Sequence, residues 1–196
     1  MIDLKAKKIK NVFEIGSLRL SEDNREQRLR EFALPAVSPD GKYVFCVSDQ
    51  SLHRLKVMGD ELIYEEGGAR IASNARRVEI SPDSKYVALP SGGGNEKGYV
   101  THVYRVTKLT KPILKVKSGA YPQALSMDRT AGLIYTQDHQ HELKTFNTRG
   151  LAQKSYDLFR NGSAHQFLVH PDGHRMLVLC TESIVAVKLP GASEDK

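Results

Sequence analysis

The chain has 196 residues, 40% hydrophobic and 27% charged, with 15 glycines, 8 prolines, 2 cysteines and no tryptophan. That apolar content supports a core, no stretch reaches the ~18 consecutive apolar residues of a membrane-spanning helix, and two cysteines cannot build a disulfide framework. The balance of 29 basic against 23 acidic residues, a net +6, is compatible with a nucleic-acid or anionic surface but does not require one.

The N-terminal segment, 1–32, comes first. Lys5, Lys7, Lys8 and Lys10 have no apolar run behind them, so the segment does not read as a secretory signal, and the expected location is the cytoplasm. Residues 12–15 and 16–20 read as two short strands. Residues 22–32 fit either a helix or an outer strand with its loop. There Arg25, Arg28 and Arg30 alternate with Glu22, Asp23, Glu26 and Glu31, which reads as a mixed solvated face.

From residue 33 the sequence repeats. Ser38-Pro39-Asp40-Gly41-Lys42-Tyr43-Val44 returns as Ser81-Pro82-Asp83-Ser84-Lys85-Tyr86-Val87, more weakly as Ser126-Met127-Asp128-Arg129, and again as His170-Pro171-Asp172-Gly173-His174-Arg175-Met176. The starting positions 38, 81, 126 and 170 lie 43, 45 and 44 residues apart, the period of a repeat architecture. Each repeat predicts short strands in the same order. The innermost segments are 36–37, 78–80, 124–125 and 167–169, and the second strands 43–48, 86–89, 133–136 and 176–181. The third strands are 52–57, 99–106, 142–146 and 184–189. More polar outer strands follow in three repeats, at 61–66, 113–117 and 154–159. In 99–106, Val100, His102, Tyr104 and Val106 share one side, which predicts a sheet covered unequally on its two faces.

The recurring turn has a plain cause. Proline presets φ at its second position, aspartate accepts hydrogen bonds from the backbone ahead of it, and glycine tolerates positive φ. Short strands at this period, innermost apolar and outermost polar, describe a β-propeller blade. On these motifs residues 33–190 resemble the Pro-Asp-Gly blades of the WD-repeat-like, TolB-like and YVTN-like propellers. The resemblance implies an all-β ring of about four four-stranded antiparallel blades, and propellers of this kind serve many tasks. The chain departs from the pattern in lacking a Trp-Asp dipeptide and a Gly-His signature. Ser84 stands where the turn glycine belongs, and the third repeat has neither proline nor glycine there. A TolB-like periplasmic role would also require an export signal.

The fourth repeat has three strands, followed by a tail, 191–196, expected to be disordered. The strands predicted at 12–20 are therefore expected to complete the last blade and seal a single-domain ring. Two further arrangements stay open: a homodimer forming an eight-bladed ring, or one portion of a longer propeller.

Several residues carry possible chemistry. Asp138, His139, His141 and Glu142 lie close together, with His165, His170 and His174 following, and such groups bind zinc or copper when they converge. Asp138, however, holds a turn position, and His170 and His174 replace Ser38 and Lys42 of the first repeat, so they read as turn and surface residues. Cys46 and Cys180 fall in second strands, where cysteine acts as a small buried hydrophobe. Gly92-Gly93-Gly94 leads into a strand, not a helix, and is no phosphate loop. No cofactor, metal or catalytic residue is assigned.

The candidate binding site is a ring of loop residues. An alanine followed by a variable residue precedes each innermost strand: Ala33-Leu34, Ala75-Arg76, Ala120-Tyr121 and Ala164-His165. Leu34, Arg76, Tyr121 and His165 are expected to gather over one mouth of the central channel, bordered by Arg160, His139 and His141. The expected function is a non-catalytic interaction module for a protein, peptide or small ligand. The alternatives are an enzyme of the hydrolase, lactonase or quinone-dependent oxidoreductase type, and a basic scaffold associated with nucleic acid.

Overall fold

Alternating apolar residues between Pro-Asp turns give the chain strands with two usable faces, and the computed structural model stacks those strands into four antiparallel sheets. It describes residues 2–3, 8–9, 35–48, 51–70, 77–92, 99–118, 125–127, 134–137, 142–147, 149, 151–162, 164–170, 172 and 174–189. Two short N-terminal strands, β1 (Ile2–Asp3) and β2 (Lys8–Ile9), pair with each other. The first blade has the order β3 (Ala36–Val37), β4 (Tyr43–Ser48), β5 (Ser51–Met58), β6 (Glu61–Arg70). The second is β7 (Glu79–Ile80), β8 (Tyr86–Gly92), β9 (Tyr99–Arg105), β10 (Leu114–Ser118). The third is β11 (Leu125–Met127), β12 (Ile134–Gln137), β13 (Glu142–Phe146), β14 (Ala152–Asp157). The fourth holds three strands, β15 (Ala164–Val169), β16 (Arg175–Cys180) and β17 (Ile184–Lys188).

The innermost strands stand side by side in chain order, β3 beside β7, β7 beside β11 and β11 beside β15. Apolar side chains fill the space between successive blades. Phe45, Val47 and Leu52 of the first blade meet Val87, Leu89 and Tyr104 of the second. Ala88 and Val103 meet Leu125 and Met127 of the third. Leu143 and Leu158 meet Phe167, Met176 and Val178 of the fourth. Each large side chain buried in this way contributes roughly 1.5–3 kcal/mol, so the blades are held chiefly through their faces.

The repeated turn is built alike in three blades. In the first, Ser38 Oγ donates to Asp40 Oδ1 at 2.7 Å, the Lys42 amide donates to the same oxygen at 3.1 Å, and the Tyr43 amide donates to Ser38 Oγ at 2.9 Å. In the second, Ser81, Asp83, Lys85 and Tyr86 repeat these bonds at 2.6, 3.1 and 2.9 Å. In the fourth, the His174 amide donates to Asp172 Oδ1 at 2.8 Å, while His170 and Arg175 hold the other oxygen at 2.9 and 3.0 Å. The Ser38 hydroxyl holds the Asp40 carboxyl below its ordinary range, and that of Asp172 is lowered chiefly by the His174 amide. Ser84, at the glycine position, adopts φ of 58°, the left-handed region that L-residues seldom enter. Its Oγ accepts the Asp40 amide at 3.1 Å, tying the second turn to the first.

Because Ser84 lacks the freedom of glycine, the Asp83 carboxylate is the main local brace of the second turn. Asp83→Ala is expected to cost about 1 kcal/mol. Denaturant melts showing no loss for either Asp83→Ala or Asp40→Ala would reject this account of the turn.

The structure corrects several predicted elements. β9 is not covered unequally: Thr101, His102, Val103 and Tyr104 are all buried, because the second blade is packed between two others. β11 runs on through Ser126 and Met127, which pair with Tyr135 and Ile134. No proline stands at 127 to stop the ladder. β14 occupies Ala152–Asp157 and not 154–159, since Phe159 enters a 3-10 turn, Phe159–Asn161, after the buried Leu158. β8 extends past 89 to Gly92. The predicted strands at 12–20, the alternative at 22–32 and the tail at 191–196 lie outside the described residues.

Candidate functional site

Of the predicted ring, His165 is described, at the end of the fourth blade where its innermost strand begins. Ala164 is fully buried there, in the cluster with Leu158 and Phe167, while His165 after it is exposed. A β-bulge between Ala164 and Gln166 frees His165 from the ladder to β16. Its Nε2 lies 3.0 Å from Thr181 Oγ1, in the loop joining β16 to β17. The 3-10 turn before β15 presents Arg160 to solvent. Ser183 Oγ donates to Asn161 Oδ1 at 2.8 Å and fastens that turn to the same loop. Gly162 allows the chain to pass, with φ of 73°; a Cβ there would sit 3.0 Å from that of Thr181.

A long-range contact crosses this end of the molecule. Arg77 Nη1 donates to the His165 carbonyl at 2.8 Å, joining the start of the second blade's innermost strand to that of the fourth. Glu79 follows two residues later, on the same side of an extended stretch. Burial raises its carboxyl from the usual 4.5 to about 7, with Arg77 pulling the other way. Arg77 and His165 are thus joined where β7 and β15 begin, with Arg160 in the turn just before β15, a local excess of cationic and hydrogen-bonding groups.

Of the residues predicted from sequence, His165 and Arg160 are placed here. Leu34, Arg76, Tyr121, His139 and His141 lie outside the described residues. Sequence reasoning missed Arg77 and Glu79. The alanine-plus-one pattern stopped at Arg76, and a bond between residues 88 positions apart leaves no periodic trace. Elsewhere, Cys46 and Cys180 are free and buried, and burial raises both thiols, that of Cys46 to about 11, which keeps it protonated and a poor nucleophile at neutral pH. Among the described residues, no three His, Cys, Asp or Glu side chains are grouped as metal ligands. No helix among them is long and apolar enough to cross a membrane.

The sequence matches no protein-family model and no curated protein. Solved structures do match. Hydrazine synthase of Kuenenia stuttgartiensis aligns with a TM-score of 0.62 at 15% identity, over 79% of this chain and 45% of that one. U3-55K aligns at 0.58 and 15%, over 82% and 54%. The WD40 repeats of RRP9 align at 0.60 and 14%, over 84% and 52%. The chain thus spans about half the length of the solved structures it matches. At these identities the likeness speaks for architecture alone, and with the four stacked sheets it makes this chain an all-β protein of β-propeller fold.

Proposed function

We propose that the chain is a non-catalytic interaction module that takes an acidic protein or peptide segment on the end where the innermost strands begin. The observation that carries this reading is the Arg77 bond to the His165 carbonyl, which ties the start of β7 to that of β15 beside the exposed side chains of His165 and Arg160. In the proposal Arg76 and Arg160 receive carboxylates. Leu34 and Tyr121 supply apolar contact, and His165, His139 and His141 border the groove. WD40 repeats, named in one of the matched structures, lend the reading support by architecture.

The test is fluorescence anisotropy with a labelled glutamate-rich peptide. The expected result is saturable binding that weakens with salt, as charge pairing requires, and that falls at least tenfold in Arg76→Glu/Arg160→Glu. Binding unchanged in that variant would reject this face, and absence of binding at low salt would reject an acidic partner.

A further inference from the structure

The fourth blade carries an apolar surface on the side turned away from the third. Leu168 of β15 is 60% exposed, Leu177 and Leu179 of β16 are 48% and 45%, and Ile184 of β17 is 68%. Register places them on one face: Leu168 stands opposite Leu177, Leu179 opposite Ile184, and Leu177 also opposite the exposed Ala186. The other face of the same sheet, with Phe167, Met176, Val178 and Val187, is already buried. β16 is therefore apolar on both sides, the pattern of a strand packed between two layers and not of one facing water. A sheet face left to water is ordinarily polar, and this one is not.

Charge says what the face fits. Along β17 the exposed row reads Glu182, Ile184, Ala186, Lys188, with an acid just before the strand and a base at its end. At about 3.3 Å per residue the two charges lie roughly 20 Å apart. Laid against itself in the antiparallel sense by a two-fold axis, such a row sets Glu182 of each copy against the partner's Lys188, with the leucine and isoleucine side chains meeting between them. Self-complementarity of one patch is the requirement of a two-fold dimer.

We infer that the outer face of the fourth blade is a homodimer interface, in which Leu168, Leu177, Leu179 and Ile184 pack against the same residues of a second copy and Glu182 pairs with Lys188 across the two-fold axis. This surface meets the one proposed for the acidic segment at the 181–183 loop, but its test reads association of two copies and not peptide binding, so the two readings fail separately.

The experiment is light scattering and sedimentation of the full chain across a concentration series. The expected result is a concentration-dependent dimer whose dissociation constant rises at least tenfold in Leu177→Glu/Leu179→Glu. Glu182→Lys alone and Lys188→Glu alone should each weaken the dimer, since each sets like charges together twice. Mixing those two single variants should restore it as a heterodimer, because every contact is then opposite in sign. That mixing result comes from exposed positions and does not depend on the leucine variant remaining folded. A protein that stays monomeric up to about 100 μM, as it would if a further blade or another protein covered the face, overturns the inference. So does a dimer indifferent to all four substitutions, or one that mixing fails to restore.

Discussion

Phe45→Ala is expected to destabilise the protein by about 3–5 kcal/mol, enough to unfold a domain of ordinary stability. Phe45 is fully buried in β4 and packs with Val47, Leu52, Val87, Leu89 and Tyr104 across the first and second blades. Neighbouring strands are tied by their own ladders, so the wall around a truncated ring has little room to collapse and a cavity remains. Because the side chain touches both blades, the loss should appear as one cooperative transition and not as melting of the first blade alone. Urea melts followed by circular dichroism test this. A loss under 1 kcal/mol would mean that the interface between these blades does not hold the fold.

Glu79→Gln is expected to stabilise the protein at pH 8 and to leave it unchanged near pH 4. The carboxyl is raised by burial from 4.5 to about 7. An acid raised on folding is protonated in both states below about 4.5, and there it carries no penalty. Between 4.5 and 7 the unfolded chain ionises first, so stability falls as pH rises, and above 7 the full cost of the buried charge remains. The displacement corresponds to about 3 kcal/mol, an upper bound for the gain from the neutral amide. Melting temperatures of both proteins from pH 4 to pH 8 should diverge as the pH climbs. Parallel curves would show that Glu79 is ionised in a wetter setting than its position implies.

The architecture was legible because its cause is local. Proline and aspartate at fixed offsets favour a turn whatever surrounds it, and four aspartate-bearing repeats at a period near 44 residues mark the blades. The bonds to Asp40, Asp83 and Asp172 follow directly from those residue types. Which faces would be covered was less legible. The alternation of Val100, His102, Tyr104 and Val106 suggested one dry side, yet Thr101 and Val103 are just as buried, because burial depends on neighbouring blades and not on the strand itself. The site was legible only in part. The small residue before an exposed one at Ala164 and His165 is a steric demand that sequence can register. The reach of Arg77 to the fourth blade depends on where the curvature of the stack brings two distant loops, and nothing in the repeat encodes it.

Ser84 has a consequence for how this protein could have diversified or be rebuilt. A left-handed serine whose hydroxyl accepts the main-chain amide of Asp40 makes the second repeat lean on the turn before it, through an N–H that any residue but proline would offer. Repeats of this kind are often treated as exchangeable cassettes, duplicated or shuffled at will. Here the second repeat tolerates a change of residue type in the turn before it but not the loss of that turn: placed first in a stack, it would keep its unfavourable backbone angle and lose the bond to its neighbour. The tie rests on the Ser84 hydroxyl alone, and a consensus that restored glycine there would relieve the backbone angle and erase the bond together.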